Sequence, residues 1–277
     1  MTRKIGIVCC SDGFNRAYEG EIEELHRILA DMGIESVISP FLYARDGVAS
    51  GTAEERAKAV MDFYLDDTID AICDISGGDI ANGILPYLDY SVIAKMDKQF
   101  WGYSDPTTIL NAIYAKTGQT GVLYQIRNVL YKERKQQMTD VRDVLCEGGD
   151  ALYRIDYHYV QGTEMHGIIV GGNIRCFLKL SGTAYMPDLN GKILLLESRS
   201  GTVARMETYL SQLQQIGAFE QIAGILLGTF TEMEAKQCMP DIVQLVKKYV
   251  RKTMPIAVTK QIGHGTDAKG IVIGGEL

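Results

Sequence analysis

Short apolar runs alternate with amphipathic stretches along the first half of the chain. Ile5–Cys9 is an apolar run that ends at the turn residues Ser11-Asp12-Gly13. Glu19–Met32 then carries Ile22, Leu25, Ile28, Leu29 and Met32 at helical spacing, and Gly33 stops it. Glu35–Ser39 and Ile69–Ile75 read as further strands, with Thr52–Leu65 between them as an amphipathic helix capped by Thr52. Phe100–Tyr103 reads as a fourth strand and Pro106–Lys116 as the helix that follows. This alternation predicts an α/β fold with a parallel sheet covered on both faces.

The pattern breaks in the middle. Tyr131–Gly149 is polar and charged, and Tyr153–Gln161 alternates like an exposed strand. A connection is expected over residues 136–160, between an N-terminal domain of residues 1–135 and a C-terminal domain of residues 161–277. In the latter, Gly167–Gly171, Lys192–Leu196, Ala223–Phe230, Ile256–Thr259 and Ile271–Ile273 read as strands. Val203–Ile216 and Ile242–Val250 read as helices.

Composition narrows the function classes. The 277 residues are 46% hydrophobic and 23% charged, as in a globular protein of two modest domains or one large one. The net charge of −7, with no long basic run, argues against a nucleic-acid partner. The six cysteines form no C-x-x-C pair and no cluster with zinc-ligand spacing, so reduced thiols and a cytoplasmic location are expected. No stretch approaches the ~20 apolar residues of a spanning helix, and no membrane is expected. The run after Met1-Thr2-Arg3-Lys4 is too short for a signal-peptide core and reads as a first buried strand.

Several strand ends carry candidate chemistry. Ser104 follows an apolar strand and precedes a helix led by Pro106, where ligands bind in open α/β sheets. It is either a nucleophile beside the free N–H of Asp105 or a plain helix cap. Pro106 rules out the G-x-S-x-G elbow. Ser76-Gly77-Gly78-Asp79 is either an anion-binding turn or a simple tight turn. Glu197 ends the buried run Ile193-Leu194-Leu195-Leu196 and needs a partner there, either Arg199, Arg205 or a histidine. His264, between Gly263 and Gly265, is the histidine best placed to act as a base. The order Ser…Glu…His is one arrangement of an acyl-transfer triad.

At these residues the chain resembles the LD-carboxypeptidase family of serine peptidases. Gly102-Tyr103-Ser104-Asp105-Pro106-Thr107 is similar to the family's nucleophile motif, and Ser76-Gly77-Gly78-Asp79-Ile80-Ala81-Asn82 to its glycine-pair segment. Gly171-Gly172-Asn173, Leu180-Ser181-Gly182-Thr183, Gly191–Glu197 and Gly263-His264-Gly265 extend the likeness over nearly the whole chain. The Gly-Gly-Asp form and Leu88-Asp89-Tyr90 resemble the branch that contains the microcin C immunity peptidase.

The resemblance implies a catalytic set of Ser104, His264 and Glu197. It implies an oxyanion hole from the N–H of Asp105 and that of Gly77 or Gly78. It also implies a flavodoxin-like N-terminal domain, a swivelling-barrel-like C-terminal domain, no metal or organic cofactor, and a homodimer. The expected reaction is removal of a terminal D-alanine from a murein tetrapeptide. The alternatives are cleavage of an aminoacyl-nucleotide amide, as in the microcin immunity branch, or a binding homologue without catalysis. Arg199 is a candidate for gripping a substrate carboxylate. Two segments depart from the family pattern: Leu123-Tyr124-Gln125-Ile126-Arg127-Asn128, where a Gly-Pro stretch is usual, and Ser198-Arg199-Ser200-Gly201, where acidic residues are usual. Both are expected to border the substrate.

Overall fold

The computed structural model describes residues 3–45 and 47–277. Met1 and Thr2, which precede the first apolar run, lie outside the described residues. The described residues form eleven strands: β1 Arg3–Val8, β2 Ile34–Ile38, β3 Ala71–Asp74, β4 Gln99–Gly102, β5 Gly121–Leu123, β6 His158–Gln161, β7 Ile169–Asn173, β8 Ile193–Ser198, β9 Gly224–Phe230, β10 Ile256–Val258 and β11 Ile271–Ile273. They form two sheets. The six-stranded sheet has the order β2-β1-β3-β4-β5-β11, parallel except for β11, which runs antiparallel to β5. The five-stranded sheet has the order β6-β10-β9-β8-β7, parallel except for β6.

Strand periodicity divides the core of the first sheet. Ile5, Ile7, Cys73, Trp101 and Val122 pack with Ile22, Leu25, Ile28 and Leu29 of the helix Glu19–Asp31. Residues of opposite parity, Val8, Ile72, Phe100 and Leu123, pack with Val60, Phe63 and Tyr64 of Ala53–Leu65 and Ile109 and Leu110 of Thr107–Thr117. The second apolar cluster continues into Leu194, Leu195, Leu196 and Leu226 of the second sheet, so both sheets share one core. Thr52 caps its helix through a reciprocal pair with Glu55, a motif worth about 1 kcal/mol.

Part of the stretch expected to be a connection is regular. Arg134–Arg142 is a helix, and its buried residues are Gln137, Asp140 and Val141. Its anchors are polar: the Tyr124 hydroxyl bonds Gln137, Gln137 Nε2 donates to the Ala268 carbonyl at 3.1 Å, and Lys269 Nζ meets Asp140 at 2.6 Å. Apolar periodicity does not register such a helix. The exposed strand expected over Tyr153–Gln161 is limited to β6, paired with β10.

Candidate active site

The first sheet places three loops side by side, because β3, β4 and β5 are parallel neighbours. These loops carry Gly77-Gly78, Ser104 and Arg127 at the carboxyl ends of the strands, where such sheets bind ligands. Ser104 lies between the end of β4 and the helix Thr107–Thr117, with φ 67°. The left-handed region costs a non-glycine residue about 1–2 kcal/mol. The Ser104 carbonyl accepts from the Thr107 N–H at 3.0 Å, which closes the turn. Despite Pro106, the serine sits on a sharp strand-to-helix corner.

Asp105 stabilises that corner with its carboxylate. It is fully buried; Oδ2 accepts from Ser11 Oγ at 2.7 Å and from the Ala81 N–H at 2.8 Å. Oδ1 meets Lys179 Nζ at 2.5 Å. Its own N–H has no protein acceptor among the described residues.

The glycine pair is oriented from behind. The Asp12 N–H donates to the Gly77 carbonyl at 3.1 Å. In a trans peptide the N–H of Gly78 then points the opposite way, and it too is without a protein acceptor among the described residues. Gly78 has φ 132°, and a Cβ there would lie 2.2 Å from Asp12 Oδ1. Gly77 has open space at the same position.

The second sheet supplies the acid and the imidazole. In the parallel register Asn173 on β7 pairs with Glu197 on β8. Glu197 is fully buried; Oε1 accepts from Asn173 Nδ2 at 2.9 Å, and Oε2 lies 2.8 Å from His264 Nδ1. Each hydrogen bond to a buried carboxylate is worth about 1.5–3 kcal/mol, which offsets its desolvation. The partners are thus Asn173 and His264, not Arg199 or Arg205. His264 rides on a loop held against β9, where the Thr229 N–H donates to the Ile262 carbonyl at 2.8 Å. A Cβ at 263 would fall 1.8 Å from Thr229 Oγ1, so glycine permits the approach.

The two halves meet around Ser104. The His264 ring packs edge-on against Tyr103, with centroids 5.0 Å apart. Burial and the nearby Glu197 carboxylate push the Tyr103 phenol well above its ordinary pKa. His264 Nε2, on the far side of the ring from Glu197, is buried without a hydrogen-bond partner. A cavity of about 480 Å³ is lined by Gly77, Gly78, Ser104, Arg199 and His264 together. The seven residues singled out by sequence therefore converge, with Asp105 directly behind Ser104 and Glu197 behind His264. The docking is fixed by Asn111, whose amide exchanges two hydrogen bonds with the Gly171 backbone at 2.8 and 2.9 Å, and by Thr107 Oγ1, which accepts from the Asn173 N–H at 3.2 Å.

Some residues carried no local signal. Asn173 was visible only as part of Gly171-Gly172-Asn173, and its bond to Glu197 depends on strand register. Arg127 also lines the cavity. Its guanidinium lies over the Phe14 ring, 5.4 Å from the centroid, and its Nε is buried without a partner. Among the described lining residues there are cations, Arg127, Arg199 and Lys269, but no carboxylate. No helix among the described residues is long and apolar enough to cross a membrane.

Known proteins resemble this chain over most of its length. The microcin C7 self-immunity protein MccF of Escherichia coli is 28% identical over 77% of this chain and 70% of that protein. A murein tetrapeptide carboxypeptidase of Pseudomonas aeruginosa is 23% identical over 88% of this chain and 83% of that protein. The structure of MccF in complex with glutamyl sulfamoyl guanosine superposes with a TM-score of 0.87 at 20% identity, covering 99% of this chain and 92% of that one. Family models for the LD-carboxypeptidase N-terminal and C-terminal domains match residues 5–125 and 166–277. The chain belongs to the LD-carboxypeptidase family, a family of peptidase-type hydrolases that includes MccF-like members.

Proposed function

We propose that this protein is a serine hydrolase that cleaves an amide bond through Ser104, His264 and Glu197. The observation that carries this reading is the 2.8 Å contact between Glu197 and His264 Nδ1, combined with an unpartnered Nε2 beside the cavity of Ser104. His264 Nε2 takes the proton of Ser104 Oγ as the oxygen attacks the carbonyl carbon. The resulting oxyanion is held by the N–H groups of Asp105 and Gly78, each worth ~3 kcal/mol of barrier. Gly78 is preferred to Gly77 because the Asp12 bond fixes its peptide plane. His264 then gives its proton to the leaving nitrogen and the C–N bond breaks. His264 next deprotonates a water that attacks the acyl carbon; as the C–Oγ bond breaks, the imidazolium returns that proton to Oγ and the carboxylic acid product leaves. Glu197 keeps the Nδ1 proton in place and stabilises the imidazolium.

For the substrate we favour an aminoacyl-nucleotide amide over a murein tetrapeptide. A nucleotide requires an aromatic and polar cleft, and Tyr124, Gln125, Asn128 and Tyr131 border the cavity. The tetrapeptide remains a second reading, because Arg127 and Arg199 suit a free carboxylate. Incubation with aspartyl sulfamoyl adenosine and, separately, with murein tetrapeptide distinguishes the two by which amine is released. Turnover that survives Ser104→Ala would refute both.

On the same reading, the first sheet belongs to a flavodoxin-like unit that presents the nucleophile, and the second to a swivelling-barrel-like unit that presents the acid and base. The domain spans 1–135 and 161–277, a homodimer, a cytoplasmic location and the lack of a nucleic-acid partner belong to this proposal as well.

A further inference from the structure

Two cations of the second unit reach across to the oxyanion loops of the first. Arg175 and Lys179 stand four residues apart on the helical turn after β7, hence on one face. Arg175 donates to the Gly78 carbonyl at 3.0 Å and pairs with the Asp79 carboxylate. Lys179 Nζ donates to the Asp79 carbonyl at 2.8 Å and meets Asp105 Oδ1 at 2.5 Å. One ammonium group therefore touches both segments that supply oxyanion donors.

Asp105 is unusual because a fully buried carboxylate and a proposed oxyanion donor belong to the same residue. An uncompensated anion there would oppose negative charge developing a few Å away, in a site of low dielectric. Ser11 and the Ala81 N–H hydrogen-bond the carboxylate but bring no charge. Lys179 is the cation in contact with it.

We propose that Lys179 is a positioning residue for the reaction. It neutralises Asp105 and locks the Asp105 and Gly78-Asp79 segments together, so that their N–H groups form a competent oxyanion hole. This rests on the reading of Ser104 as nucleophile and deepens it. Docking of the second unit is then part of catalysis itself, not only a way of delivering the base.

The test compares wild type, Lys179→Met, Asp105→Asn and the double variant by their rates of Ser104 labelling with a fluorophosphonate. Lys179→Met is expected to lower the rate by about 100-fold, the size of effect that follows loss of one oxyanion donor. Adding Asp105→Asn removes the stranded charge and is expected to restore the rate by about tenfold or more. In turnover of aspartyl sulfamoyl adenosine or murein tetrapeptide, kcat should carry the loss while KM moves by less than about threefold. A purely structural ion pair would instead lower melting temperature without this rescue pattern. If Lys179→Met does not fold alone, the double variant is compared with Asp105→Asn, and matching rates are expected. A Lys179→Met rate within about threefold of wild type, or no gain from the second substitution, overturns the proposal. Absence of any Ser104 labelling in wild type overturns the nucleophile reading, and this inference falls with it.

Discussion

Glu197 Oε2 lies 2.8 Å from His264 Nδ1, and the carboxylate is fully buried between that imidazole and the Asn173 amide. Burial makes the pair sensitive to small changes in charge. Glu197→Gln preserves shape, but with the amide oxygen held by Asn173 Nδ2 its NH2 group faces His264 Nδ1 and selects the wrong tautomer. Turnover should fall by about 10⁴-fold, as in other triads with a misassigned tautomer. A melting scan should show the variant folded. A loss of less than tenfold would argue against Glu197 as the orienting acid.

Ser104 is held at φ 67°, a strain of about 1–2 kcal/mol that the turn must sustain. Ser104→Ala and Ser104→Gly both delete the hydroxyl, but only glycine relaxes the backbone. In denaturant unfolding, Ser104→Gly should be more stable than Ser104→Ala by about 1 kcal/mol. Equal midpoints would mean that the corner is unstrained.

The two glycines of the anion turn should respond oppositely to alanine. Gly77→Ala meets nothing within 4 Å, whereas Gly78→Ala drives a Cβ to 2.2 Å from Asp12 at φ 132°. Gly77→Ala is expected to retain turnover within about threefold, and Gly78→Ala to lose at least about 100-fold. The reverse order would assign the oxyanion donor to the wrong peptide.

Asp12, beside Gly78, titrates above the ordinary carboxylate range, chiefly because of burial and then because of the Asp105 charge. A carboxyl raised in the folded state binds protons more tightly there than in the unfolded chain. Its stabilising contribution is complete below the unfolded value of 3.8 and is lost as pH rises through the folded pKa. Asp12→Asn should therefore melt higher than wild type at neutral pH, with the gap closing as pH falls to 3.8 and below. Melting curves of both proteins across that range check the sign.

Much of the fold was legible because its strands are short continuous apolar runs and its helices have clear apolar faces. Ile22, Leu25, Ile28 and Leu29 were expected on one face and pack together in one core cluster. The helix Arg134–Arg142 was not legible, since Gln137 and Asp140 are held by hydrogen bonds and charge. At the site, Ser104, Glu197 and His264 marked themselves by interrupting apolar runs or glycine-rich loops. The Asp105 carboxylate did not. Its contacts span up to 94 residues of sequence: those to Ser11 and Ala81 form between loops of the first sheet, and that to Lys179 only when the second sheet docks. The conformation of Ser104 was likewise hidden, because a positive φ at a non-glycine residue is imposed by its surroundings.

In the proposed reaction Ser104 is a nucleophile activated by His264. Peptide mass spectrometry of the wild-type protein and of His264→Ala after exposure to a fluorophosphonate tests it most directly. One phosphonyl group is expected on Ser104 of the wild type and almost none on the variant. Modification at another residue, or equal labelling of Ser104 in both proteins, would contradict it.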